Sequence, residues 1–226
     1  MRKALIDGDV FVYRAAFACD EEVESEALLA FDSLVTLALL ESKCFEYQMF
    51  LTGSGNFRYN YAITAPYKGN RKNSKPPTHK DAIRAHAIKT WEAIVSEGEE
   101  ADDTIAIAAT KLGPLHHTII SIDKDFLQVP GVNYNPVRKE ETYINELSGI
   151  FFFYQQILMG DAADNIIGVK GIGPAKSSTI LTGSQNEAEL YNRCLQEYNG
   201  NKDRVIENAR LLWLRREEGQ IWEPPV

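Results

Sequence analysis

Two short apolar runs that end in aspartates constrain the fold of this 226-residue chain more than any other feature. Lys3–Asp7 is predicted to be a buried first strand that ends in an acid, and His117–Ile122 a second buried strand followed by Asp123 and Asp125. Open α/β sheets place their ligands at the carboxyl ends of parallel strands. Further strand candidates span residues 47–51, 132–135 and 141–144. The pattern predicts an α/β core with a mainly parallel central sheet flanked by helices.

Residues 158–176 combine a pair of acids with a glycine-rich turn. Asp161 and Asp164, at positions i and i+3, are predicted to project from one face of a helix that begins near Leu147. The turn and the helix start that follow contain Gly168, Lys170, Gly171, Gly173 and Lys176. Glycines let a phosphate approach the main chain, and free N–H groups at a helix start, here predicted at Pro174, favour an anion. This helix–loop–helix pattern indicates metal-dependent chemistry on nucleic acid.

The net charge of −8 argues at first against a nucleic-acid partner, because phosphate binding depends on Lys and Arg. The basic residues are unevenly distributed, however. Seven Lys or Arg residues fall between Tyr67 and Trp91, against a single acid, Asp81. The acids gather in short clusters, where bound divalent cations would neutralise part of their charge. The local distribution therefore outweighs the global balance.

The sequence also indicates a compartment. It contains no run of about 18 apolar residues, so no membrane span is predicted. Asp7 and Asp9 interrupt the first apolar run too early for a signal peptide. Cys19, Cys44 and Cys194 are odd in number and lack metal-ligand spacing, which predicts free thiols in a reducing compartment.

The sequence Gly160-Asp-x-x-Asp-Asn-Ile-x-Gly-Val-x-Gly-Ile-Gly173 resembles the helix–loop–helix signature of the flap endonuclease and 5'-3' exonuclease family. That family includes the 5' nuclease domain of bacterial DNA polymerase I and phage-encoded 5'-3' exonucleases. Four further blocks resemble it in the same order, namely Leu5–Ala15, Tyr67–Arg71, Glu100–Asp103 and Asp123–Phe126. The resemblance covers residues 4 to about 182 and implies a PIN-like 5' nuclease core.

By this resemblance the recurring carboxylates are metal ligands, namely Asp7, Glu100, Asp102, Asp103, Asp123, Asp125, Asp161 and Asp164. Clustered in one cleft, they would repel one another unless cations lay between them. Oxygen-only ligands favour two Mg²⁺ ions, with Mn²⁺ as a substitute. Asp9 is either a further ligand or the N-cap of the first helix. Many relatives have a metal-site aspartate near the position of Thr52, so this chain is expected to lack one ligand of the second ion.

The basic block is expected to bind the DNA. The resemblance implies that Lys68 and Arg71 reach the scissile phosphate and that Tyr67 stacks on a terminal base. These roles fit the point charge of the Lys68 ammonium, the planar guanidinium of Arg71 and the aromatic face of Tyr67. Lys72 and Lys75, together with the glycines and lysines of the loop at 168–176, are expected to contact the DNA backbone.

Two sections are expected in the chain. Residues 1–145 would form the α/β nuclease core, and residues 146–226 a helical section that contains the helix–loop–helix and packs on the core as one unit. Within the core, residues 67–96 would form a short basic arch, with a helix at 78–95 capped by Thr78. The protein is expected to be a monomer.

The resulting hypothesis is a 5' nuclease that hydrolyses phosphodiester bonds of DNA with two metal ions, as a 5'-3' exonuclease or a structure-specific flap endonuclease. Its partner would be DNA with 5' ends or 5' flaps, in replication and repair, in the cytoplasm of a bacterial or phage-infected cell. Two alternatives stay open. One is removal of RNA from RNA–DNA hybrids in the manner of RNase H, and the other is non-catalytic binding of branched DNA, which the absent aspartate near Thr52 favours.

Overall fold

The computed structural model describes residues 2–71 and 75–225, and a six-stranded sheet forms its centre. The strands are β1 (Lys3–Asp7), β2 (Glu46–Thr52), β3 (Ile94–Ser96), β4 (His117–Ile120), β5 (Gly131–Asn135) and β6 (Glu140–Ile144). They lie in the order β3-β2-β1-β4-β5-β6, and every neighbouring pair is parallel except β5 and β6. The predicted fold class, a mainly parallel sheet flanked by helices, is confirmed.

Helices flank the sheet, and further helices follow at the C-terminal end of the chain. They are α1 (Gly8–Ala18), α2 (Glu24–Glu41), α3 (Lys80–Thr90), α4 (Ala101–Leu112), α5 (Glu146–Met159), α6 (Pro174–Leu181), α7 (Glu187–Glu197) and α8 (Lys202–Leu212). Short 3₁₀ turns occupy Phe57–Asn60, Gly69–Arg71 and Lys124–Gln128. A small hairpin, β7 (Gly160–Asp161) with β8 (Ile166–Ile167), lies between α5 and α6.

The sheet is buried on both faces, as the alternation of side chains along β1 requires. Ile6 packs in one hydrophobic cluster with residues of α1, α2 and α3, such as Phe31. Leu5 packs on the opposite face with residues of α4, such as Ile105. A third cluster lies among α5, α6, α7 and α8 and includes Phe153. The helices therefore cover the sheet as two layers, and the C-terminal helices have a core of their own.

The segment after α8 connects two of these clusters. Leu212 belongs to the cluster of the C-terminal helices, whereas Leu214 packs beside the sheet. The buried amide of Gln128 donates to Leu212 O at 3.0 Å and accepts from Leu214 N at 2.9 Å. The division expected at 145/146 stays a prediction, and α5 begins at Glu146.

The helix predicted at 78–95 is shorter in the structure. It spans Lys80–Thr90, with His79 rather than Thr78 at its N-cap. Ile94–Ser96 instead form β3, which pairs in parallel with the end of β2. Ile83 and Ala87 bury one face of α3 against α1 and α2, so this part of the expected arch is packed on the core.

The helical placement of Asp161 and Asp164 was also wrong. Helix α5 ends at Met159 because Gly160 adopts a φ of +69°, which a left-handed turn requires and a helix does not permit. Asp161 lies in β7, and Asp164 lies in the turn between β7 and β8. The hairpin, and not a helix face, presents the two acids.

Two expectations about the cellular compartment, the lack of a membrane span and the free thiols, can be compared with the described residues. Within residues 2–71 and 75–225, no helix combines the length and the apolar character that a bilayer crossing requires. Cys19, Cys44 and Cys194 are free thiols, as predicted. Cys44 and Cys194 are buried among apolar side chains, where they pack as small core residues.

Candidate active site

The carboxyl ends of β1, β2 and β4 open into a cleft of about 1160 Å³. Besides the exposed Asp81 of α3, the acids that line it are Asp7, Asp9, Glu100, Asp102, Asp123, Asp125, Asp161 and Asp164. They come from strand ends, the first turns of α1 and α4, the loop after β4 and the β7–β8 hairpin. The structure therefore brings together acids that lie up to 157 residues apart in the sequence, between Asp7 and Asp164.

Asp7 lies deepest in the cleft. It ends β1, caps α1 by accepting from Val10 N at 3.3 Å, and accepts from Ser121 Oγ at 2.7 Å. Burial raises the pKa of Asp7 to about 7 against the effect of the Ser121 hydrogen bond, and the neighbouring Asp9 carboxylate acts in the same direction as burial. The N-cap alternative for Asp9 was wrong, because Asp7 holds that position.

Asp9 lies in the first turn of α1 and reaches the end of β2. Its Oδ2 accepts from Thr52 N at 2.9 Å, and Arg84 Nη1 of α3 lies 3.4 Å from its Oδ1. The Thr52 hydroxyl accepts from Ala101 N at the start of α4. A carboxylate therefore lies beside the strand end where the sequence lacks an aspartate.

Asp102 and Asp125 have raised pKa values for a shared reason. Burial raises the pKa of Asp102 well above its usual value, and the carboxylates of Asp7 and Asp123 add to the effect. Burial likewise raises the pKa of Asp125 to about 7, with further contributions from Asp123 and Asp161. Such a set of carboxylates is stable only with protons or cations between its members.

Two lysines neutralise part of this charge. Lys68 Nζ donates to Glu100 Oε1 and lies 3.8 Å from Asp164 Oδ2, while Lys124 Nζ lies 2.8 Å from Asp161 Oδ2. Burial acts to raise the pKa of Asp161, yet the Lys124 ammonium holds it below its usual value. The pKa of Glu100 is lowered in the same way, against burial, by Lys68 and then Arg58.

Tyr67 takes a different position from the one expected. Its ring is only 4% exposed, so it is not open to a stacking base. Its hydroxyl lies 2.8 Å from Glu100 Oε2 and 2.9 Å from Asp164 Oδ2, so it hydrogen-bonds carboxylates on both sides of the cleft. The exposed ring beside it is that of Tyr59, which packs edge-on against Tyr67 at 5.7 Å.

Asp103 is turned away from the cleft. It is completely buried, and Arg58 donates to its two oxygens at 2.5 and 2.9 Å. The bidentate pair occupies the carboxylate that the sequence had assigned to a metal ion. Sequence reasoning missed Arg58, whose signal was a lone cation between Phe57 and Tyr59. Removing either partner of such a buried pair costs about 3–5 kcal/mol, so the pair stabilises the fold.

Part of the predicted basic block lies around the mouth of the cleft. Lys68 and Arg84 are in it, and Lys75 is exposed. Lys72 and the side chain of Arg71 lie outside the part of the chain that the structure describes. The DNA-contacting roles of these residues stay predictions.

The glycine loop follows the β7–β8 hairpin and leads into α6. Gly168 has no room for a side chain, since a Cβ there would lie 2.2 Å from the Met159 carbonyl carbon. Gly171 adopts a φ of +79°, and a Cβ there or at Gly173 would meet nothing within 4 Å, so the backbone is open to a ligand. Pro174 opens α6 as predicted. Lys170 and Lys176 are both exposed beside this backbone.

The donor set suits a hard cation, although the side chains do not enclose one by themselves. Within the described residues, no three His, Cys, Asp or Glu side chains converge closely enough to hold a metal ion. Mg²⁺ does not need three converging side chains, because it keeps several waters and binds through one or two carboxylates together with substrate phosphates. The all-carboxylate cleft with its raised pKa values fits such an ion.

Comparison with known proteins places the chain among nucleases. A model of the family described as 5'-3' exonuclease, N-terminal resolvase-like domain, matches residues 2–149. The chain is 26% identical to DNA polymerase I of Bacillus subtilis over 88% of its own length, yet spans only 25% of that protein. It is 30% identical to a 5'-3' exonuclease of Mycoplasma genitalium, covering 80% of this chain and 72% of the relative. It is 31% identical to the flap endonuclease Xni of Vibrio campbellii, covering 66% and 64%.

Solved structures share the fold at lower identity. A bacteriophage T5 protein co-crystallized with metal ions superposes with a TM-score of 0.71 at 17% identity, over 94% of this chain and 89% of that one. A bacteriophage T5 flap endonuclease in a pseudo-enzyme–product complex with DNA and metal ions gives a TM-score of 0.67 at 19% identity, over 94% and 89%. The sequence match over most of the core and the shared fold agree with the motif resemblance. The chain belongs to the 5'-3' exonuclease family.

Proposed function

We propose that this chain is a divalent-metal-dependent 5' nuclease that hydrolyses phosphodiester bonds of DNA, as a 5'-3' exonuclease, a flap endonuclease or both. The observation that carries the proposal is the convergence of eight acids in one cleft, where Asp7 and Asp125 have pKa values raised to about 7. Burying repelling carboxylates destabilises a fold, so their retention is explained by the cations that they would bind.

The carboxylates would hold the ions in two overlapping groups. One group consists of Glu100, Asp102, Asp7 and Asp123, and the other of Asp123, Asp125, Asp161 and Asp164. The first group follows from the carboxylates that raise the pKa of Asp102, and Asp123 and Asp161 of the second from those that raise the pKa of Asp125. Asp164 is added to the second group because it lies in the same hairpin as Asp161. Asp123 belongs to both groups, so we assign it as the ligand that the two ions share. Asp103 is left out, because Arg58 occupies both of its oxygens.

Bound Mg²⁺ or Mn²⁺ would activate a water and neutralise the leaving 3' oxygen in an in-line displacement. The protein's own cation for the same purpose is Lys68, which lies between Glu100 and Asp164 at the centre of the acids. Its ammonium would face the scissile phosphate and stabilise the charge that develops there. The Tyr67 hydroxyl would hold Glu100 and Asp164 in place.

The glycine loop would bind the duplex next to the cleft. Its open backbone at Gly171 and Gly173, the first N–H groups of α6, and the exposed Lys170 and Lys176 can all meet phosphates without reading bases. This arrangement would hold the substrate while the carboxylate cleft acts on the strand.

The two alternatives differ in what supports them. A non-catalytic binder was favoured by the missing aspartate near Thr52, but Asp9 Oδ2 lies 2.9 Å from Thr52 N and restores a carboxylate at this strand end. A binder would also gain nothing from eight acids beside phosphates, which repel them. Cleavage of RNA in RNA–DNA hybrids would use the same chemistry, so only a test of each substrate distinguishes it from cleavage of DNA.

The test is incubation of the purified chain with 5'-labelled flap DNA, blunt duplex DNA and an RNA–DNA hybrid, each with Mg²⁺, with Mn²⁺ or with EDTA. We expect cleavage of DNA with either ion and none in EDTA, and the product sizes distinguish mononucleotide release from flap removal. Tight binding without cleavage under every condition would overturn the proposal in favour of a binder. Cleavage confined to the hybrid would replace DNA by RNA as the substrate.

A further inference from the structure

Two arginines from distant parts of the chain hold the start of α4. Arg58 donates to both oxygens of Asp103, and Arg215 Nη1 donates to Glu99 Oε2 at 2.8 Å while its backbone N donates to Asp103 Oδ1 at 3.2 Å. Both guanidinium groups also lie over the ring of Phe57, with centroid distances of 4.6 and 3.6 Å. We call Arg58 and Arg215 the arginine clamp.

Arg58 is held in place by hydrogen bonds to two separate parts of the chain. Besides its pair with Asp103, its Nε donates to Leu211 O at 2.8 Å and its Nη2 to Trp213 O at 2.9 Å. The side chain is 2% exposed. A planar guanidinium satisfies a carboxylate and two carbonyls in only one orientation. Arg58 therefore connects α4 with the segment that follows α8.

The clamp also reaches the cleft. Arg58 Nη1 lies 3.7 Å from Glu100 Oε2, the oxygen to which the Tyr67 hydroxyl is hydrogen-bonded. Asp102 and Asp103 are consecutive, so their side chains point about 100° apart around the helix. Anchoring Asp103 inward therefore turns Asp102 toward the cleft.

We propose that Arg58 is a positioning residue that fixes the rotation of the first turn of α4, so that Glu100 and Asp102 face the cleft. Leu211, Trp213 and Arg215 complete the arrangement, although they lie beyond residues 2–149, which the family model matches. The C-terminal segment thus contributes to the geometry of acids that belong to the core. The inference rests on the proposed nuclease function for its kinetic readout but not for its metal-binding readout.

The test uses Arg58→Lys in the full chain. Lysine keeps the charge near Asp103 but cannot bond the carboxylate and both carbonyls together. We expect kcat on flap DNA to fall about tenfold to a hundredfold, the range for losing a side chain that orients a metal ligand. We expect KM to change by less than about twofold, because the DNA-contacting surface is untouched. Mn²⁺ affinity without DNA, measured by electron paramagnetic resonance, should fall by about tenfold.

Arg210→Lys is the matched control. Arg210 of α8 donates to Trp222 O at 3.3 Å and to Glu223 Oε1 at 2.5 Å, and among the described residues it contacts neither an acid of the cleft nor the β7–β8 hairpin. We expect it to lower the melting temperature as Arg58→Lys does, while kcat and Mn²⁺ affinity stay near wild type. Equal losses of kcat in both variants would reduce Arg58 to a stabilising residue and overturn the inference.

A second variant covers the case in which Arg58→Lys does not fold. Asp103→Asn keeps the size of the side chain but leaves one oxygen to accept from Arg58, because the amide nitrogen is a donor. It should therefore lower kcat and Mn²⁺ affinity in the same pattern. Unchanged Mn²⁺ affinity in a folded Asp103→Asn protein would contradict the clamp. If the wild-type chain cleaves no substrate, the nuclease proposal fails, and the Mn²⁺ measurement still decides the role of Arg58.

Discussion

The two sides of the cleft hold their acids in different ways. On one side, the α4 bank (Asp7, Glu100 and Asp102) lies on a strand end and a helix start that pack over the core. On the other side, the hairpin bank (Asp125, Asp161 and Asp164) lies on a 3₁₀ turn and a two-stranded hairpin. Asp123 lies between them. Regular elements fix one bank, and turns fix the other.

The lysines that pair with the acids of the two banks also differ, in how far their side chains are exposed to solvent. Lys68 pairs with Glu100 of the α4 bank and also lies 3.8 Å from Asp164 of the hairpin bank, and its side chain is 19% exposed. Lys124 pairs with Asp161 of the hairpin bank, and its side chain is 57% exposed. Water and salt screen an exposed pair far more than a buried one. The α4 bank is therefore preorganised by the protein, and the hairpin bank is expected to depend more on bound ions.

Asp123→Asn should have the largest effect, because this residue is the proposed shared ligand of the two ions. Loss of several kcal/mol of charge stabilisation by metal ions corresponds to a fall in kcat of about a thousandfold. Substrate affinity, measured by fluorescence anisotropy, should change little. The control is Asp203→Asn, which alters an exposed acid of α8. A turnover of Asp123→Asn close to that of the control would remove the shared-ligand assignment.

Lys68→Ala compared with Lys124→Ala measures the asymmetry directly. We expect kcat to fall about a hundredfold for Lys68→Ala, as for loss of one preorganised electrostatic donor. For Lys124→Ala we expect less than about fivefold, since a pair with a largely exposed lysine is worth about 0–1 kcal/mol. Single-turnover rates at saturating DNA provide the measurement. Equal effects would show that the banks are alike, and a pure loss of affinity for Lys68→Ala would make it a steering charge.

The smallest effect concerns stability and pH. Asp7 and Asp125 have folded-state pKa values of about 7 against a usual value of 3.8, so between these values the native protein binds more protons than the unfolded chain. Stability without metal should therefore fall as the pH rises from about 4 to 7. We expect the melting temperature in EDTA to drop by at least about 2–4 °C, the shift for 1 kcal/mol in a chain of this size.

Mg²⁺ should reverse that drop above pH 7, because an ion that binds only the folded state stabilises it. Asp125→Asn should make the pH dependence in EDTA less steep, since it removes one of the three cleft acids with raised pKa values, Asp7, Asp102 and Asp125. A melting temperature that rises with pH in EDTA would contradict the raised pKa values and the metal role inferred from them.

Several features were predictable because they depend on short stretches of sequence. Asp7 and Asp123 follow apolar runs, and the carboxyl ends of parallel strands meet at one edge of a sheet, so their convergence could be expected. Pro174 at the start of α6 follows from a fixed φ and a missing N–H. Asp161 and Asp164 were also expected to reach a common cleft. They were predicted to do so from a helix, but Gly160 ends that helix before the two acids.

Other features depended on partners far away in the chain. Ile94–Ser96 became β3 because the end of β2 offered a strand to pair with, which no local pattern of three residues could indicate. Tyr67 was expected to stack on a terminal base, yet its ring joins the cluster of the C-terminal helices and its hydroxyl turns to Glu100. Burial of an aromatic ring depends on which apolar surface reaches it.

The sequence by itself determined the family, most of the strands and helices, and the segments that carry the acids, because periodicity and motif spacing are local properties. It did not indicate β3 or the β7–β8 hairpin. Only the tertiary structure decided which acids face the cleft. Asp102 and Asp103 are neighbours with the same side chain, and one lines the cleft while the other is buried against Arg58. The choice depends on a guanidinium 45 residues away and on the carbonyls of Leu211 and Trp213, which meet α4 only when the chain is folded.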